Sequence, residues 1–283
     1  MIYRALPEAR NCPYAVSSTV LPAEIGDPPQ RLERLFDIIE EGGGSRPEAL
    51  IHAYMCAGWG YALEYYLHNT CERYLMLTIA DVDPYDFRFH TYHPAIGSQG
   101  FGVSTVLFSL PEKREGLVVT GSPPRTSVFT DFVRAVRSHK DQMGPTRIFM
   151  PFLRADLLRI AESVLGEDLM APNKASKYAH CFGSDPFIGI IEWLQEGAVE
   201  NEACALAGGL AFNGYYSFSA LTVSSDTMVS LCSINGDEKS LRRAVRDAAD
   251  EKLISARLQV ARATEVVEKP FAVRPDLQTE VRQ

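Results

Sequence analysis

The sequence predicts an α/β fold with layered sheets, and three observations carry that reading. Short apolar runs of strand length alternate with segments whose apolar residues recur at helical spacing, the pattern of sheets covered by helices. At residues 49–67 an apolar run, a Cys-Ala-Gly turn and a helical pattern follow one another without a break. Further along, Asn213-Gly214 stands between two apolar runs, a strong short-range signal for a β-hairpin.

Taken in order, residues 1–30 are punctuated by proline and read as irregular. The segment RLERLFDIIEE then places Leu32, Leu35, Phe36, Ile38 and Ile39 on one helical face and is stopped by Gly42-Gly43-Gly44. Ala49–Met55 is expected as a strand and the stretch through Tyr61, Leu63, Tyr65 and Leu67 as a helix. Tyr74–Ala80 and Phe101–Leu110 read as strands, the second carrying β-branched Val103, Thr105 and Val106. Residues 82–98 between them form a long loop of mixed aromatic and polar character, a candidate pocket lid or partner surface. The second half repeats the alternation, with helices over Thr130–Arg137, Arg154–Leu165 and Pro186–Glu196 and strands over Arg147–Met150, Ala203–Leu210 and Tyr215–Val223. Beyond Cys232, a partial apolar face through Leu241, Val245, Ala248, Leu253 and Leu258 predicts a surface or partner-contacting helix, followed from about Thr264 by a loosely held tail.

Composition narrows the function. The 283 residues suffice for one large domain or two moderate ones, and 28 basic against 36 acidic side chains leave a formal charge of −8. That balance argues against a broad electrostatic grip on nucleic acid or an anionic membrane, both of which need clustered Lys and Arg. No run approaches the roughly 18 uncharged apolar residues of a membrane span, and charges early in the sequence argue against a signal peptide, so a cytoplasmic protein is expected. The six cysteines form no Cys-x-x-Cys pair and lack the density of a disulfide scaffold, so neither disulfides nor a structural zinc is expected. His90 and His93 with Asp81, Asp83 and Asp86 lack a metal-ligand spacing and read as a solvated loop.

Several pieces, in order, resemble the type III β-ketoacyl-acyl-carrier-protein synthases of the thiolase fold. Cys56-Ala57-Gly58-Trp59-Gly60-Tyr61-Ala62-Leu63 resembles that family's segment around its nucleophilic cysteine, and Tyr74–Asp81 its strand ending in aspartate. Residues 100–107 resemble its Gly-Asp-Gly-Ala strand with Phe101 in place of the aspartate. Phe182-Gly183-Ser184-Asp185 resembles its Gly-Asn-Thr loop, and Ala211–Leu221 its glycine-rich turn and last strand. The resemblance implies a layered αβαβα fold of two related halves. Residues 1–122 would be an abbreviated first half carrying Cys56, 123–232 the second half, and 233–283 an added helix and tail. Only 55 residues precede Cys56, enough for about one βα unit. Phe152 occupies the position of the family's catalytic histidine and Ser184 that of its asparagine, so only the cysteine of the usual set is retained.

A cysteine at a strand-to-helix turn faces unpaired N–H groups and the helix dipole, which favour thiolate, and Cys56 is therefore the candidate nucleophile; the bland alternative is a buried thiol. The resemblance implies an oxyanion site made by the backbone N–H of Cys56 and one from the Asn213-Gly214 turn. His180, four residues before Ser184, is the candidate base for an acceptor hydroxyl or amine, with Asp185 orienting it; the alternative is a solvated loop histidine. His52 reads as a core or interface residue. Trp59, Phe101, Phe152 and Phe187 are candidates for an apolar acyl pocket or for core, and Arg154, Arg159, Lys174 and Lys177 for phosphate guides or surface charge. With apolar Phe152 unable to donate and Ser184 standing where the resemblance places asparagine, decarboxylative condensation is disfavoured. The expected activity is acyl transfer: an acyl thioester forms on Cys56 from acyl-coenzyme A or an acyl-carrier protein and passes to an acceptor, in fatty-acid-like or polyketide-like biosynthesis. No bound cofactor is expected, and the chain is expected to pair as a homodimer or with a related ketosynthase. The alternative is a catalytically degenerate subunit that shapes an active partner.

Overall fold

The computed structural model describes residues 6, 9, 11–20, 29–41, 45–81, 96–122 and 127–231. The helix and tail expected beyond Cys232, most of the 82–98 loop, and His90, His93, Asp83 and Asp86 lie outside them. Along the chain come β1 (Tyr14–Ser17), α1 (Pro29–Glu41), β2 (Ala49–Ile51), the 3₁₀ turn Met55–Ala57, α2 (Gly58–Asn69), β3 (Tyr74–Asp81) and β4 (Gly102–Ser109). Then follow β5 (Val118–Gly121), α3 (Val128–Met143), β6 (Arg147–Phe149), α4 (Ala155–Leu165), α5 (Ala175–Tyr178), the 3₁₀ turn Phe182–Ser184, α6 (Asp185–Gln195), β7 (Glu202–Leu210) and β8 (Tyr216–Ser224).

Two four-stranded sheets form, ordered β2-β1-β3-β4 and β5-β8-β7-β6. In the first, β1 runs parallel to both β2 and β3 while β4 is antiparallel. In the second, β6 is parallel to β7, and β7-β8 and β8-β5 are antiparallel. α2 packs against strands of both sheets and so does α6, which places these two helices between them. This explains why α2 buries Gly58, Trp59, Gly60, Ala62, Leu63, Tyr66 and Leu67 instead of a single stripe: a helix between two sheets has little solvent-facing side. On the far side of the first sheet Ile39 of α1 packs with Tyr14, Val16 and Met76. On the far side of the second, Phe132, Val133 and Val136 of α3 and Ala161 and Leu165 of α4 meet Ile148, Leu206 and Phe218. The layers therefore run α, β, α, β, α.

Alternate residues of one strand serve alternate layers, as the pleat requires. Leu75, Leu77 and Ile79 of β3 enter the central core while Met76 faces α1. Both faces being covered, the strand reads as a continuous apolar run. Two strands depart from the sequence expectation. β1 lies in the stretch expected to be irregular; its four residues are all buried, too few to show any alternation. β5 was not expected either, and because it pairs with β8 the second sheet reaches back across the boundary expected at residue 122. β2 ends at Ile51, earlier than expected, so His52 is an exposed turn residue and not part of a core strand. The Asn-Gly hairpin forms as expected: the β7-β8 ladder closes at Leu210 opposite Tyr216, and Gly214 takes φ +99°, a conformation that favours glycine.

Candidate active site

Cys56 lies in the short 3₁₀ turn that feeds α2, at the meeting of the two sheets. The backbone there is bent by necessity, since the chain must leave β2 and enter a helix sandwiched between sheets. Met55, immediately before the cysteine, has φ +48°. The other two non-glycine residues with positive φ among the described residues are Ala179 (φ +59°) and Phe182 (φ +53°), which flank His180. Such conformations cost about 1–3 kcal/mol each and persist only where the surroundings over-determine them. Their confinement to the neighbours of Cys56 and His180 marks this as the place where the fold holds a strained arrangement.

The geometry joins three side chains. The Sγ of Cys56 is 3.9 Å from Nε2 of His180, 124 residues away in sequence. The Nδ1 of His180 donates to Oδ2 of Asp185 at 2.5 Å. Asp185 is fully buried and also accepts the backbone N–H groups of Phe152 (2.7 Å) and Cys181 (2.6 Å). Burial acts to lower the His180 pKa, but the charge and hydrogen bond of Asp185 outweigh it and push it up to about 10. The main chain of His180 is fixed as well: its backbone N–H donates to the Ser98 carbonyl and its carbonyl accepts from the Gly100 N–H, both at 2.9 Å. Nδ1 thus faces an orienting carboxylate and Nε2 faces a thiol, the polarity a nucleophile, base and orienter require. A nucleophile-to-base contact of this length is common before substrate binds.

A second buried carboxylate braces the turn. Asp81, at the end of β3, accepts the N–H of Thr19 (2.5 Å) through Oδ1 and the N–H of Gly183 (3.1 Å) through Oδ2. Burial pushes it up to about 6, against the lowering effect of those N–H groups. Thr19 follows β1, and its Oγ1 lies 3.7 Å from the Cys56 Sγ. The sequence identified the strand ending in Asp81 but carried no signal for Thr19, because a hydroxyl in a proline-punctuated segment is unremarkable until β1 is known to be central.

The remaining candidates fall in different places. Ser184 is fully buried, with its Oγ unpartnered among the described residues. The Phe152 ring packs with Cys181 and Ile188, so its contribution near the triad is its backbone N–H to Asp185. Trp59 is core: it meets Phe187 edge-on at 5.1 Å and is fully buried. Phe101 is 48% exposed, which removes it from a buried acyl pocket. Asn213 donates its side-chain amide to the Ala53 carbonyl, and the Gly214 N–H is taken by the Ala211 carbonyl at 3.1 Å. Of the Asn213-Gly214 turn expected to supply an oxyanion donor, the Gly214 N–H is therefore committed to its own turn. Lys174 and Lys177 both pair with Glu192, and Arg154 with Asp156. No group of His, Cys, Asp and Glu able to hold a metal is present among the described residues. No helix is long and apolar enough to cross a membrane among those residues.

The Glu192 cluster holds the segment that delivers His180. From α6, Glu192 accepts Lys177 and the Tyr178 hydroxyl (2.6 Å), and pairs with Lys174 at 2.8 Å, fastening α5 two residues before the histidine. Burial alone would raise the Glu192 pKa, but its three donors hold it down to about 2. A lowered carboxylate contributes stability that is fully present above its ordinary 4.5 and is lost as pH falls through about 2. Thermal unfolding followed across that range is expected to show this acid-dependent component in the wild type and its absence in Glu192→Gln.

Five alternating layers, with a cysteine leading into a helix buried between two sheets and a histidine brought to it from the second half, define a thiolase-like fold. Among solved structures the chain is similar to a priming β-ketosynthase of a polyketide biosynthetic pathway, at 16% identity and TM-score 0.56, over 76% of each chain. It is also similar to β-ketoacyl-[acyl carrier protein] synthase III from Thermus thermophilus, at 15% identity and TM-score 0.55, over 78% of this chain and 80% of that one. A third is the acyltransferase ChlB3, at 16% identity and TM-score 0.54, over 75% and 76%. No protein-family model matches the sequence, and no curated protein is similar to it by sequence.

Proposed function

We propose that the chain is an acyltransferase that carries its acyl group as a thioester on Cys56. The observation that carries this reading is the alignment of Cys56, His180 and Asp185. With its pKa raised, His180 already holds the proton of the Cys56–His180 pair as the Cys56 sulfur attacks the donor's thioester carbonyl, and gives it to the departing thiolate of coenzyme A or of a carrier phosphopantetheine. In the second half-reaction it takes the proton of the acceptor hydroxyl, amine or thiol as that group attacks the acyl-enzyme, and holds it as the Cys56 sulfur leaves. In this reading the Cys56 backbone N–H donates to the developing oxyanion.

Two features support transfer over carbon–carbon bond formation. The side chain at position 152 is an apolar ring packed among Cys181 and Ile188, unable to donate to a malonyl thioester carbonyl. The histidine the site does possess is tied to a carboxylate, as suits a base for an incoming X–H group. A purely structural subunit would have no need to bury an imidazole and a carboxylate together, since buried ion pairs seldom add net stability over apolar packing. Exposed Phe101 and Val103, at and beside edge strand β4, support pairing with a second ketosynthase-like chain. Outcomes are separated by intact-protein mass spectrometry with a panel of acyl-coenzyme A and acyl-carrier thioesters. The wild type is expected to gain one acyl mass and Cys56→Ala none; no gain with any donor would overturn the reading.

A further inference from the structure

Beyond the triad, the Cys56 sulfur has a further polar neighbour among the described residues that no role yet explains. Thr19 Oγ1 stands 3.7 Å from Sγ, in an environment where Cys56 packs otherwise with Val20 and Phe182. Its position is fixed from three sides. The Thr19 N–H is held by Asp81 Oδ1 at 2.5 Å, the adjoining Ser18 Oγ donates to the Ala80 carbonyl at 2.6 Å, and the Val20 N–H returns to Ser18 Oγ at 3.2 Å. Thr19 is mostly buried, so its hydroxyl has little water to turn to.

We propose that the Thr19 hydroxyl is a further catalytic group, donating its hydrogen bond to Cys56 Sγ whenever the sulfur is anionic. This rests on Cys56 being the nucleophile. The hydroxyl has two acceptors within reach, the Asp81 carboxylate and the sulfur. While Cys56 is a thiol, the stronger acceptor is the carboxylate; once the proton has gone to His180, the thiolate competes for the same O–H. A β-branched alcohol held at its backbone can make that exchange by rotating one bond. The sulfur is then stabilised by two groups from different layers: the imidazolium from the second half and a neutral donor from the first sheet. The same donor serves the acyl-enzyme's breakdown, when Cys56 leaves as a thiolate.

The test uses a probe that needs no acyl donor: the rate at which iodoacetamide alkylates Cys56 at neutral pH, followed by peptide mapping. Thr19→Val keeps the shape and removes the hydroxyl; Thr19→Ser keeps the hydroxyl and removes the methyl. Alkylation is expected to slow roughly tenfold in Thr19→Val, the scale of losing one hydrogen bond to a charged group, and to stay near the wild-type rate in Thr19→Ser. A role confined to packing predicts the reverse order. Wild-type alkylation in Thr19→Val, or slow alkylation in a Thr19→Ser protein that unfolds at the wild-type temperature, overturns the proposal. If Thr19→Val does not fold, the serine variant alone decides. Alkylation that follows the hydroxyl while no thioester loads Cys56 would sink the acyltransferase reading and leave Thr19 standing, so the two fail separately.

Discussion

Replacing Asp185 by asparagine is expected to cut acyl loading of Cys56 by about 10²–10⁴-fold and to lower folding stability by about 3–5 kcal/mol. Both effects come from one buried carboxylate. Its Oδ2 accepts His180 Nδ1 and the Phe152 N–H, and its Oδ1 accepts the Cys181 N–H. An amide offers a single oxygen, so at least one of these buried donors would face an NH₂ group instead. His180 would also lose the partner that fixes its ring orientation and supports its positive charge, and Nε2 would no longer be held facing the sulfur. The pH dependence has a definite sign. A histidine raised by its partner contributes stability that is fully present below its ordinary 6.5 and is lost as pH rises through about 10. Denaturant unfolding measured from neutral to alkaline pH should show that decline in the wild type and a flatter profile in Asp185→Asn. Equal slopes would mean the pair is not charged in the folded protein.

The second large effect is expected at Gly209, one residue before the end of β7. A Cβ there would stand 2.8 Å from the Cys56 carbonyl oxygen, 2.7 Å from Trp59 Nε1 and 3.1 Å from the Ala57 Cα. Two of these atoms are backbone, and the third belongs to a fully buried indole, so nothing can rotate away. Gly209→Ala must push the Met55–Ala57 turn off the second sheet. Overpacking of this kind costs about 1–3 kcal/mol. A shift of about 1 Å in a reacting group costs about 10²-fold in rate, which is the drop expected in acyl loading. Gly189→Ala is the informative comparison, because its Cβ meets the Phe149 ring at 2.9 Å, a side chain that can tilt. Differential scanning calorimetry and acylation kinetics on both variants are expected to show stability loss in each, with the large loss of loading confined to Gly209→Ala.

Much of the architecture was legible in the sequence because its signals are local. The apolar runs of β3 and β4, the helical spacing of α3, α4 and α6, and the Asn-Gly hairpin depend only on side chains a few residues apart. β1 and β5 escaped because four residues are too few to display a period, and a strand buried on both faces shows no alternation to display. Among the site residues, Cys56 was visible through its strand-turn-helix context, and His180 with Asp185 through their neighbouring loop. Phe101 was misplaced because an apolar residue at the start of a strand gives no hint of which face it takes. That the Gly214 N–H is engaged within its own turn was not legible, because hairpin hydrogen bonding depends on how the turn closes, which composition does not reveal.

What the sequence alone determined is the alternation of strands and helices, a cysteine placed where a strand gives way to a helix, and the presence of phenylalanine and serine at positions 152 and 184. Only the tertiary structure decided that His180 faces Cys56 across 124 residues of chain, that Asp185 fixes the imidazole, and that Thr19 reaches the same sulfur from the end of β1. The physical reason is that distance in a layered fold is set by which sheet faces which. The parallel pairing of β1 with β3 carries Thr19 to Asp81, and the sandwiching of α2 between the sheets carries Cys56 to the second half. Neither pairing leaves a mark on residues adjacent in sequence.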